Sequence, residues 1–81
     1  MKPVDPKDPD LVAIMRAAAT VLAALPPLPF NDEGRRGLAE AIEQAWQRVA
    51  PHRRFQFHVE LFPGTFIANV VVTEAEPGDL Q

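Results

Sequence analysis

Apolar residues recur at helical spacing in two segments of this chain and then alternate with polar ones, which predicts two helices followed by a β-hairpin. In the first segment Leu11, Ile14, Met15, Ala18, Val21, Leu22 and Leu25 fall on one arc, with Arg16 and Thr20 opposite. Alanines at 13, 17, 19, 23 and 24 flank that arc; they favour the helix and permit close approach of a neighbour. Asp8 suits the N-cap, Pro9 the first helical position, and Asp10 the positive end of the dipole. The run Pro26-Pro27-Leu28-Pro29-Phe30 should end this helix near Leu25, because proline pushes the residue before it out of the helical region and offers no backbone donor.

The second helix is expected to start at Asn31 or Asp32, with Asp32 meeting Arg36 one turn on and Gly34 and Gly37 weakening its start. Leu38, Ala41, Ile42, Ala45, Trp46 and Val49 then mark its core face, and Pro51 stops it after Ala50. Trp46 on that face is read as packing.

From Phe55 the period becomes two. Phe55, Phe57, Val59 and Leu61 alternate with Gln56, His58 and Glu60; beyond Pro63-Gly64, Phe66, Ala68, Val70 and Val72 alternate with Ile67, Asn69 and Val71. A tight turn at Pro63-Gly64 pairs Leu61 with Phe66, Val59 with Ala68, Phe57 with Val70 and Phe55 with Val72, so the inner face is wholly apolar. Pro-Gly favours a type II turn whose twist suits a two-residue hairpin poorly, and a loop widened symmetrically would keep the same faces.

The predicted fold is therefore α+β: an antiparallel helix pair packed on a C-terminal β-hairpin, in the order α-α-β-β. Residues 1–8 hold one apolar side chain, Val4, among prolines and charges and are expected to form a flexible tail. Residues 9–74 form the domain, and the acidic, turn-rich residues 75–81 a second flexible tail. A hairpin alone is a marginal sheet, so pairing of strand edges between copies is expected to extend it.

Composition narrows the function. With 81 residues the chain is one domain with a small core, and without cysteine it has neither disulfides nor thiol chemistry. Serine and tyrosine are also missing, His52 and His58 have no evident nucleophile to activate, and the Glu40 and Glu43 carboxylates face solvent on a helix. No catalytic residue, cofactor site or metal site is assigned, and the chain is expected not to be an enzyme. No apolar run reaches the roughly 20 residues that span a bilayer, and the first residues lack the apolar core of a signal peptide, so no membrane partner and a cytoplasmic location are expected.

Two surfaces remain as candidates. Phe62, Ile67 and Val71 fall on the outer sheet face with His58 and Glu60, a mixed surface suited to binding a partner, either a second copy or another protein. His58 is expected opposite Asn69, and a metal would need these ligands doubled across a two-fold axis; cross-strand hydrogen bonding is the plainer account. Arg48, Arg53 and Arg54 offer an anion-binding patch and with it an alternative reading as a small nucleic-acid-binding accessory protein. The formal net charge of −3 argues against bulk electrostatic attraction to phosphate. Pro26-Pro27-Leu28-Pro29 also spells a short polyproline ligand, although a stiff connector between helices explains it as well.

Overall fold

The computed structural model describes residues 1–76. Its elements in chain order are β1 (Lys2–Pro3), α1 (Pro9–Ala23), α2 (Asp32–Val49), β2 (Phe55–Phe62) and β3 (Ile67–Glu74). The three strands form one antiparallel sheet in the order β1-β3-β2, so the fold is α+β with the helices ahead of the hairpin.

Both helix starts follow from their caps. Asp8 Oδ1 accepts from the backbone N–H of Asp10 at 3.0 Å and of Leu11 at 3.4 Å, and Asn31 Oδ1 accepts from Gly34 N at 3.1 Å. Each cap satisfies donors that have no partner inside the helix. α1 ends at Ala23, short of Leu25, and its last turn tightens: Ala24 N donates to Val21 O and Leu25 N to Leu22 O. Pro26 holds Leu25 out of helical geometry and sets this end.

The connector Pro26–Phe30 folds back across the first turns of α2. A Cβ at Gly34 would collide with the carbonyl oxygen of Pro29, and one at Gly37 would press into the Leu28 side chain at 3.2 Å. These glycines reduce helix propensity, and what they provide in return is contact between helix and connector.

Ile14 and Ala18 of α1 pack with Ala41, Ile42 and Ala45 of α2 and with Phe55 and Val59 of β2 to form the core. Ile14 and Ile42 are fully buried. Val21 and Leu25, expected on the core face of the first helix, are exposed, whereas Leu22 between them packs against the core. An apolar groove of about 400 Å³ stays open between α1 and β3, lined by Leu11, Met15, Val70 and Val72 among others. The helix pair therefore covers the β2 half of the inner sheet face more fully than the β3 half.

The hairpin faces are those of the alternation, but the register is shifted by two residues. Phe57 opposes Val72, Val59 opposes Val70 and Leu61 opposes Ala68, leaving Pro63–Phe66 as a four-residue loop. The loop carries hydrogen bonds to Phe62 O from Thr65 N at 3.0 Å and from Thr65 Oγ1 at 3.1 Å. Gly64 does not take positive φ; Phe66 does, at 53°. Phe66 thus leaves the inner face, where alternation placed it, and sits in the loop in a conformation costly for a bulky side chain.

The largest departure lies in residues 1–8. Lys2 pairs with Glu74 and Pro3 with Thr73, Val4 N donates to Val72 O at 3.1 Å, and the Val4 side chain packs against the core. The arm that composition assigns to a flexible tail is the third strand. Its pairing partner, β3, supplies the order that the arm's own few apolar atoms cannot. At the other end, Ala75 N donates to Arg54 O at 3.0 Å, and residues 77–81 of the expected acidic tail lie outside the described residues.

Candidate functional site

The outer sheet face is built by the even-numbered residues of β2 and the odd-numbered residues of β3. Phe62 and Ile67 are directly opposed at the tip end; Val71 lies further along β3 opposite His58. Their exposures of 46%, 55% and 42% leave three large apolar side chains in solvent on one side of the sheet. His58 and Glu60, next but one on the same strand, approach within 3.1 Å between Nε2 and Oε1. Glu60, not His58, stands opposite Asn69, a consequence of the two-residue register shift.

Phe66 was not among the residues that alternation assigns to this region. It is 79% exposed, and its ring lies 5.7 Å from that of Phe30 between centroids, so the loop reaches toward the helix connector. The signal that could have found it was the poor match between a Pro-Gly turn and a two-residue hairpin.

The arginine patch is divided. Arg48 is exposed in the last turn of α2 and Arg54 is exposed just ahead of β2. Arg53, by contrast, turns inward and is held by three carboxylates. Its Nε and one terminal nitrogen donate to the two Glu74 oxygens at 2.8 and 2.7 Å. The other terminal nitrogen donates to both Asp8 oxygens, at 2.8 and 2.9 Å, and to Asp10 Oδ2 at 3.0 Å. The guanidinium carbon lies 4.4 Å from the Phe55 ring centroid, and Trp46 Nε1–H donates to Arg53 O at 3.1 Å. A guanidinium engaged along both edges has little left for an external phosphate, so Arg53 departs from the anion-binding role expected of it.

The electrostatics agree with this geometry. The Arg53 guanidinium holds the Asp8 and Glu74 carboxyls below the ordinary carboxylate range, against burial, which pushes them up. The same hydrogen bonds, those that Arg53 donates to Glu74 foremost, raise the pKa of Arg53 itself. At the start of α2, Asp32 is likewise lowered, first by its hydrogen bond from Arg35; Arg36 also lies 2.7 Å from it. Among the described residues no group of three or more His, Cys, Asp or Glu side chains could hold a metal ion, and no helix is long and apolar enough to cross a membrane.

What the site presents is an apolar pair, a third apolar side chain, an imidazole–carboxylate pair and, beside them, the outer edge of β2, the terminal strand of the sheet. Such an arrangement offers shape, apolar area and unpaired backbone groups for binding. Comparison with protein-family models, curated proteins and solved structures found no match to this chain.

Proposed function

We propose that this chain is a small non-enzymatic protein-interaction and assembly module that associates with itself through the outer face and free edge of its hairpin. The observation that carries this reading is the exposed Phe62–Ile67 pair with Val71, beside a terminal strand whose edge lies open. Apolar side chains at this exposure bring back part of the hydrophobic free energy only when a partner covers them. The small size of the core points the same way, since a chain of 81 residues gains more from a partner than a larger domain does.

The nucleic-acid alternative draws less support, because Arg53 is engaged by Asp8, Asp10 and Glu74, which leaves two arginines of the three-residue patch, Arg48 and Arg54, exposed. Binding to DNA or RNA that falls steeply with salt would favour it.

Light scattering across a concentration series tests the assembly reading. Association is expected, and replacing Ile67 and Val71 together by Thr should weaken it about tenfold, the loss of roughly 1.4 kcal/mol of apolar burial. A chain that remains monomeric at the highest accessible concentration overturns the self-association.

A further inference from the structure

The free edge of β2 has a definite pattern of donors and acceptors. Ala75 N donates to Arg54 O, and the β2–β3 pairing continues in that register. In an antiparallel ladder the bonded pairs alternate, so Gln56, His58, Glu60 and Phe62 aim their backbone N–H and C=O groups at β3. Phe55, Phe57, Val59 and Leu61 aim theirs outward, where among the described residues no further strand lies. A second strand can bond there only by meeting odd-numbered residues with odd-numbered residues.

The side chains along this edge are complementary to their own reversal. With a two-fold axis at Val59, Val59 meets Val59 of a second copy and Phe57 meets Leu61 on the inner face. On the outer face His58 meets Glu60 and Glu60 meets His58. Within one copy the imidazole and carboxylate already lie 3.1 Å apart, so across the axis they would form an alternating quartet. Moving the axis one residue either way still bonds odd residues to odd, but it replaces both imidazole–carboxylate pairs by His58 against His58 or Glu60 against Glu60, and two carboxylates directly opposed destabilise a strand pair.

We infer that two copies of the chain pair antiparallel, edge to edge through β2, with the two-fold axis at Val59, joining two sheets of three strands into one continuous sheet. This rests on the assembly reading above and gives it a register. The dimer satisfies the outward backbone groups of Phe57, Val59 and Leu61 and brings two outer faces alongside each other; Phe55 falls opposite Pro63 of the second copy, past the end of its β2.

The absence of native cysteine makes the register directly testable. His58→Cys and Glu60→Cys are prepared as single variants, mixed in equal amounts and oxidised in a glutathione buffer. Positions 58 and 60 of facing copies form a non-hydrogen-bonded pair with Cα atoms about 4.5 Å apart, within disulfide range. Two residues 58, or two residues 60, stand on a diagonal of about 7–8 Å. The mixed disulfide should therefore exceed either homodisulfide well beyond random pairing. In parallel, Glu60→Lys should weaken association about tenfold, and adding His58→Glu to it should restore most of the loss. Circular dichroism of each variant confirms that these exposed substitutions leave the fold intact. Association that persists with homodisulfides equal to or above the mixed product overturns the register and leaves the assembly reading standing. A wild-type chain that stays monomeric by light scattering overturns both.

Discussion

The two ends of the hairpin are held by different physics. At its base, Arg53 ties β3 to the start of α1 through three carboxylates, Ala75 bonds to Arg54, and β1 adds a third strand. At its tip, a four-residue loop ends in a left-handed Phe66 whose contact with the connector is one aromatic ring against another. The base is charge-latched and half-buried; the tip is apolar and exposed. Stability is concentrated at one end, so the other can expose Phe62 and Ile67 without carrying the fold, an arrangement expected of a binding surface.

The comparison breaks first where the connector meets α2. Gly34→Ala forces the Pro29 carbonyl away from the helix and should destabilise the fold by about 3 kcal/mol, read by chemical denaturation. If the connector also steadies the tip, hydrogen exchange in residues 63–66 should accelerate in the same variant.

At the base, Arg53→Met leaves two half-buried carboxylates and a more exposed third facing one another and should cost about 2–3 kcal/mol, somewhat less than a fully buried pair. The pH dependence carries the same signature. Asp8 and Glu74 titrate lower in the folded chain than in the unfolded one. On acidification the unfolded chain takes up these protons first; the stabilisation is complete above the ordinary carboxylate pKa of about 4 and is lost as pH falls through the folded values. Thermal melts of the wild type should therefore fall steeply below about pH 4, and Arg53→Met should flatten that fall. An unchanged slope in the variant would count against the latch.

The tip is expected to respond weakly. Phe66→Asn gives up the ring contact with Phe30 and relieves the left-handed strain, two effects of about 1 kcal/mol and opposite sign, so stability should change by less than about 0.5 kcal/mol. Phe66→Val loses the ring and keeps a branched side chain at positive φ, and should cost about 1 kcal/mol or more. Equal melting temperatures for the two variants would remove strain from the account. The smallest effect is expected for Ile67→Thr with Val71→Thr, within about 0.5 kcal/mol of wild-type stability while association weakens.

Local rules foretold much of this molecule. The Asp8 and Asn31 caps, the Asp32–Arg36 pair, the stop at Ala50 and the two hairpin faces each depend on residues close together in sequence, where spacing alone is informative. The register slipped because strand period fixes faces while the loop fixes alignment, and Pro63-Gly64 did not make the turn that its composition suggested. Two features depended on distant residues and left no local trace. Arg53 meets Glu74 across 21 positions and Asp8 across 45, so a basic run read along the chain looked like a free patch. Likewise Lys2–Pro3 has no strand pattern of its own and is ordered by β3. At the candidate site, the exposure of Phe62, Ile67 and Val71 followed from alternation, whereas the place of Phe66 needed the loop.

The pairing of β1 with β3 also bears on how the chain folds. Lys2 and Glu74 are neighbours in space and lie at nearly opposite ends of the described sequence, so the contact between them closes almost the whole chain into one loop. Closing so long a loop before other contacts form is entropically unfavourable, and the arm should dock after the helices and hairpin have come together. During synthesis β1 is made well before the strand it pairs with, and until β3 is complete Val4 remains exposed to other partners.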